Sequence, residues 1–241
     1  MRSFWKRIGA GALALMAGVG LARAETIMVN SSLGGIYLVE VETLTVTEIA
    51  QAPQFFDIAI SPKGDILGIT GHGQIWQVDP EGTNLPLARV GVFINALEFD
   101  RKGALIGAGN DWVVGISATN GATQLIGRYP GFASSGDMTF GPSGELYATG
   151  SPGPAVEDTL FRMDGSGGLQ PVGPIGFRNV YGMVWSSRLG VLLGVTEARE
   201  LIVIDRATGA GRLLGVMDFP GLGYGAAGMG GDVVVGSLDR R

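Results

Sequence analysis

Ile58-Ala-Ile-Ser-Pro-Lys-Gly64, Leu97-Glu-Phe-Asp-Arg-Lys-Gly103 and Met138-Thr-Phe-Gly-Pro-Ser-Gly144 align without a gap, and Met183-Val-Trp-Ser-Ser-Arg-Leu-Gly190 joins them with one extra residue. Each is a short apolar run closed by a glycine-containing turn, and each is followed by a second apolar run (66–69, 104–107, 146–148, 191–195). Strand, tight turn, strand is the hairpin pattern. A second signature follows every hairpin: Ile75-Trp-Gln-Val-Asp79, Val113-Val-Gly-Ile-Ser117, Leu160-Phe-Arg-Met-Asp164 and Leu201-Ile-Val-Ile-Asp205, with Ile36-Tyr-Leu-Val-Glu40 ahead of them. Their last residues are spaced 39, 38, 47 and 41 apart. A Gly, Thr or Asn turn then leads into a fourth short strand. Four strands per ~40–45 residues is the blade of a β-propeller.

The arithmetic gives five blades. Four are complete, at 55–91, 93–129, 134–176 and 179–219. The fifth is expected to be shared between the termini, with 224–229 and 232–236 as its first two strands and 36–40 and 46–49 as its third and fourth. Residues 26–30 also read as a strand, so the count exceeds twenty by one. Sharing a blade closes the ring and protects edges that otherwise invite association. The predicted fold is therefore all-β, a single propeller domain over residues 25–241.

Composition agrees. Of 241 residues, 42 are glycine, only 16% are charged and 46% are hydrophobic. Glycine at this level argues against a helical bundle, because each one costs a helix interior about 1 kcal/mol relative to alanine. Collagen is excluded by the lack of a three-residue period. There is no cysteine and one histidine, His72, so disulfides, thiolate metal sites and histidine-rich metal centres are excluded.

Residues 1–24 read as a signal peptide: Arg2, Lys6 and Arg7, an uncharged run over 8–21, then Ala22-Arg-Ala24, with cleavage expected before Glu25. The apolar run is short for a spanning helix. The remaining 217 residues carry 13 Lys and Arg against 22 Asp and Glu, a net charge of −9. Nucleic acid, which needs clustered cations, is therefore not an expected partner, and no membrane insertion is expected after cleavage. The expected form is an exported monomer, periplasmic or secreted.

The repeats Ser61-Pro-Lys-Gly-Asp-Ile-Leu-Gly-Ile69 and Gly141-Pro-Ser-Gly-Glu-Leu-Tyr-Ala-Thr149 resemble those of the broad propeller superfamily with NHL-type, YVTN-type and gluconolactonase-like members. The resemblance is one of architecture, over residues 25–241. It implies either a binding scaffold or a lactonase-like enzyme, although five blades depart from the six of the lactonase-like members.

In a propeller, the innermost strands start at one face, and the loops joining second and third strands converge there. The strand starts are Phe56/Asp57, Asn95/Ala96, Gly136/Asp137, Tyr181/Gly182 and Tyr224/Gly225. Asp57, Asn95 and Asp137 are the candidate ligands for a divalent cation such as calcium, which takes six to eight oxygens. A plainer reading is that such residues bond their own backbone. Candidate ligand-binding residues are His72, Asp111, Glu157, Asp158, Arg178, Asn179, Tyr181 and Tyr224 on loops and strand starts of the same face. Glu157 and Asp158 belong to the long loop 150–159, with Pro152 and Pro154. Phe132, Phe177 and Phe219 recur before blade boundaries, where they read as wedges between blades, and Trp76, Trp112 and Trp185 read as strand packing. No G-x-S-x-G, P-loop or dinucleotide fingerprint is present.

Three functions stand open from the sequence. One is a module binding a small molecule or a protein at the channel mouth. The second is a metal-assisted hydrolase of lactonase type, working at the channel mouth through Asp57, Asn95 and Asp137. The third is a structural scaffold meeting a partner through blade sides or exposed loops.

Overall fold

The computed structural model describes residues 24–151, 156–163 and 165–228. Its regular structure is twenty β-strands in five four-stranded sheets. Blade 1 is β4 (Asp57–Ile60), β5 (Ile66–Ile69), β6 (Gln74–Val78) and β7 (Leu85–Arg89). Blade 2 is β8 (Ala96–Phe99), β9 (Leu105–Gly109), β10 (Trp112–Ile116) and β11 (Thr123–Arg128). Blade 3 is β12 (Ser134–Phe140), β13 (Leu146–Gly150), β14 (Thr159–Met163) and β15 (Leu169–Pro174). Blade 4 is β16 (Val180–Ser186), β17 (Val191–Thr196), β18 (Glu200–Ile204) and β19 (Gly211–Val216). Neighbouring strands within a blade are antiparallel and consecutive in sequence.

The closing blade runs β20 (Gly223–Gly228), β1 (Thr26–Ser31), β2 (Gly35–Glu40), β3 (Val46–Gln51). This corrects one expectation. The second strand of the shared blade is β1, paired with β20 on one side (Met28 opposite Ala227) and β2 on the other (Met28 opposite Leu38). It thus occupies the place assigned to 232–236, and the surplus strand is accounted for. The 232–236 segment lies outside the described residues, as do residues 1–23, Pro152, Pro154 and Asp164.

The period-two alternation of each strand sends side chains into the two gaps beside its blade, so the core is five interblade layers. Ala59, Leu67 and Ile75 of blade 1 meet Leu97, Leu105 and Val114 of blade 2. Tyr147 and Leu160 of blade 3 meet Met183, Leu192 and Ile202 of blade 4. The closing blade seals the ring on both sides: Val29, Tyr37 and Val39 against Val184, Leu193 and Leu201, and Met28 and Ile36 against Phe55, Ile58 and Ile66. Phe219 stacks on Tyr37 with ring centroids 4.9 Å apart, and Phe132 meets Phe161 edge-on at 5.1 Å. Both phenylalanines are buried, as wedges should be. Phe177 packs partly buried against the layer between blades 3 and 4.

The outer strands are mostly exposed. In every blade the pairing of third and fourth strands breaks register once, at Ile36/Tyr37, Ile75/Trp76, Val113/Val114, Leu160/Phe161 and Leu201/Ile202. A bulge twists an edge strand and spoils it as a template for a further strand. The five breaks therefore protect the rim of the ring.

Candidate functional site

The innermost strands β4, β8, β12, β16 and β20 present one free edge to the channel. Backbone N–H groups on that edge have no strand to pair with, and a buried N–H without a partner costs about 1–3 kcal/mol. Two side chains serve them. Asp57, fully buried, accepts the Ile58 N–H at 2.8 Å through Oδ1 and the Leu97 N–H of blade 2 at 2.5 Å through Oδ2. Asp137, also buried, accepts the Met138 N–H at 2.5 Å through Oδ1. Its Oδ2 accepts the Met183 N–H of blade 4 and, at 3.4 Å, the Ala226 N–H of the closing blade. The two carboxyls thus tie all five inner strands together across the channel.

Asp57 and Asp137 also lie close enough for each to shift the other's titration. Burial pushes both carboxyls well above the ordinary range. For Asp57 the charge of Asp137 adds to the rise, and for Asp137 that of Glu98 does. The pair titrates jointly. Glu98, on β8, is pushed up to about 7, chiefly by burial, while hydrogen bonds from the Phe99 N–H and Thr139 pull it back. No sequence motif marks Glu98, but the repeat does: the aligned positions are Ala59, Thr139 and Val184.

The five residues preceding this rung on the inner strands are Phe56, Asn95, Gly136, Tyr181 and Tyr224. All five line one cavity of about 220 Å³ at the channel mouth, together with Phe93, Ser135 and Glu197. Its rings form a chain of edge-on contacts, Phe93 to Phe56 at 6.1 Å, Phe56 to Tyr224 at 6.4 Å and Tyr224 to Tyr181 at 5.9 Å. Asn95 donates its amide to the Ser134 carbonyl at 3.0 Å, leaving Oδ1 without a hydrogen-bond partner among the described residues. Glu197 is fixed from beneath: Asn179 donates to its Oε2 at 2.6 Å, and the Glu197 N–H returns a bond to the Asn179 carbonyl at 2.8 Å. Asn179 sits at φ 51°, a left-handed conformation that asparagine tolerates better than most residues. Asp158 accepts the Ser135 hydroxyl at 2.6 Å and the Val180 N–H at 2.7 Å through Oδ2, and burial raises its pKa.

The candidate residues therefore divide. Tyr181, Tyr224 and Asn95 line the mouth, Asn179 and Asp158 brace its wall, and Asp57 and Asp137 lie one rung deeper. His72 is exposed in the β5–β6 turn and lines a neighbouring cavity of about 590 Å³ with Trp76 and Arg89, the two cavities sharing Phe56. Asp111 pairs with Arg128 at 2.9 Å on the surface, where the guanidinium lies 5.0 Å from the Trp112 ring centroid. Glu157 and Arg178 are exposed. Phe56 and Glu197, which the sequence places at the channel face without counting them as ligand contacts, line the mouth, as do Phe93 and Ser135, which no sequence feature singled out.

The metal expectation meets a physical obstacle. Asp57, Asn95 and Asp137 do not form an oxygen cage, because Asn95 stands a rung above the two acids and each of the four carboxylate oxygens receives a backbone N–H. A hard cation needs those lone pairs and repels donors directed at the same point. Among the described residues no group of three or more His, Cys, Asp or Glu is arranged to hold a metal ion. The one feature of the plainer reading that holds is the bond from each acid to the next residue's N–H.

No protein-family model and no curated protein matches the sequence. Solved structures do resemble the fold. A chain of a nidogen/laminin complex superposes with a TM-score of 0.61 at 12% identity, over 85% of this chain and 82% of that one. A gluconolactonase from Xanthomonas campestris gives 0.53 at 16% identity, over 84% and 78%. Virginiamycin B lyase from Staphylococcus aureus gives 0.50 at 14%, over 87% and 77%. At such identities the likeness establishes a shared propeller fold, and propellers host both binding modules and enzymes.

Proposed function

We propose that the chain is an exported propeller that binds a small ligand at its channel mouth. The observation that carries this is the aromatic-walled cavity formed by one complete rung of the inner strands. Five residues at equivalent places of the five blades are combined there with a braced carboxylate. At about 220 Å³ the cavity lies below the roughly 300–1,000 Å³ of drug-sized sites, which favours a small molecule over a protein segment. The hydrolase alternative loses its metal, because the donor set at the channel suits backbone N–H groups rather than a cation.

The test is a thermal-shift screen of the chain from Glu25 onward against small metabolites, run in parallel on Tyr224→Ala. Ligands of the mouth raise the melting temperature of the parent by mass action and leave the variant unmoved. A screen in which every stabilising compound acts equally on both proteins overturns the assignment of the site.

A further inference from the structure

We infer that the mouth cavity takes a small organic cation of the alkylammonium type, seated against the rings of Phe56, Tyr181 and Tyr224 with Glu197 as its counter-charge. The inference rests on the ligand-binding reading above and adds the ligand's chemistry.

Three independent features agree. First, the wall is aromatic: four rings line one small cavity, and ring faces attract cations, most strongly where water is excluded. Second, the one charged group lining the cavity is an anion. The Asn95 amide nitrogen is already bonded to the Ser134 carbonyl, and the Ser135 hydroxyl to Asp158. Beside the hydroxyls of Tyr181 and Tyr224, what remains is the Glu197 carboxylate. No Lys, Arg or His lines the cavity, so an anionic ligand finds no opposite charge there. Third, Glu197 has no ion pair among the described residues. Its one side-chain partner, Asn179, is neutral and holds it in place. A half-buried carboxylate fixed beside aromatic rings with no cation of its own is a counter-charge awaiting one.

The surroundings reinforce the sign. The Tyr181 phenol is pushed up to about 12 by burial and by the charges of Glu197 and Asp158, with Tyr224 contributing. An anionic phenolate is thus disfavoured by the same field that favours a cation. Below the mouth lies the Asp57–Asp137 pair, which contributes no positive charge.

The experiment is calorimetric titration of the chain with choline and with benzyltrimethylammonium. Dimethylbutanol, the analogue of choline with carbon in place of nitrogen, is the neutral control. Choline is expected to bind at least about tenfold more tightly than dimethylbutanol, a ratio equal to about 1.4 kcal/mol. Glu197→Gln should weaken choline by about the same factor while leaving dimethylbutanol unchanged, and Tyr224→Ala should weaken both. Parent-like melting curves confirm that the variants are folded. Equal affinity for choline and dimethylbutanol, both lost in Tyr224→Ala, overturns the cation inference and leaves the mouth as a ligand site. Absence of binding by both ammonium probes at millimolar concentration also overturns it, whereas the site itself stands or falls by the wider screen.

Discussion

Glu98 offers a test of the channel electrostatics that does not depend on any ligand. The carboxyl is held at about 7 against an ordinary 4.5, because burial disfavours its charged form. Each tenfold change in proton affinity corresponds to about 1.36 kcal/mol, so the folded state resists ionisation of this group by about 3 kcal/mol. The folded chain binds the proton more tightly than the unfolded one, so stability from this source is complete below pH 4.5. It is lost as the pH climbs through about 7 and is level beyond. Glu98→Gln removes the titration and keeps an oxygen to accept the Phe99 N–H, bonded at 2.8 Å in the parent. The variant should therefore nearly match the parent at pH 4.5 and exceed it by about 3 kcal/mol at pH 8. For a domain of this size that is about 6–12 °C in melting temperature. Urea unfolding of both proteins at the two pH values measures it. Asp57 and Asp137 titrate in both proteins, so the comparison isolates Glu98 and its coupling to Asp137. A stability difference that is the same at both pH values, or a variant weaker than the parent at pH 8, refutes the argument.

Three further outcomes follow from the geometry. Gly225→Ala places a methyl group 2.6 Å from the Asp57 Cα and against its carboxylate, so urea unfolding should show a loss of at least about 1–3 kcal/mol. Asp111→Asn breaks an exposed ion pair and should change stability by less than about 1 kcal/mol, with ligand affinity at the mouth unaltered in titration. On the proposal that the chain is exported, cleavage should expose Glu25 as the first residue, readable by N-terminal sequencing. Its nitrogen already lies 3.0 Å from Glu42 Oε2, so the new ammonium would form an ion pair there.

The blades were legible because hairpin chemistry is local. A turn glycine between apolar runs announces two strands whatever surrounds them, and the complete blades end within a few residues of where the repeat places them. The closure was not legible. Both 26–30 and 232–236 carry the alternation of a strand, and the choice between them rests on β1 pairing with β20 about 200 residues away, for which no local signal exists. The outer bulges were silent for a similar reason, since they follow from sheet twist rather than from any turn residue. For the site, register placed Phe56, Asn95, Tyr181 and Tyr224 together at the channel end. The role of Asp57 and Asp137 was hidden, because which N–H groups need an acceptor depends on the free inner edges of strands in other blades. Glu98 was hidden less deeply, as an acid where the aligned repeats carry Ala, Thr and Val.

The repeat builds the ring, but departures from it build the site. At the deeper rung the five blades present Asp57, Ala96, Asp137, Gly182 and Gly225. A Cβ on Gly225 would collide with Asp57, and one on Gly182 would come within 2.9 Å of the Ala226 backbone nitrogen. The channel therefore accommodates two carboxyls only because three positions are small, and those carboxyls reach the N–H groups of neighbouring blades that small residues cannot serve. The rung above is broken in a complementary way. Aromatic residues stand on blades 1 and 4 and on the closing blade between them, whereas Asn95 and Gly136 occupy blades 2 and 3. Gly136 is itself required by Tyr181, whose Cα lies 2.9 Å from where a Cβ would fall. A ring with five identical rungs would close its channel evenly. This one keeps an aromatic arc over blades 4, closing and 1, with the Glu197 carboxylate at the blade 4 end of that arc, and that juxtaposition is what a ligand with one charged, methylated end can read.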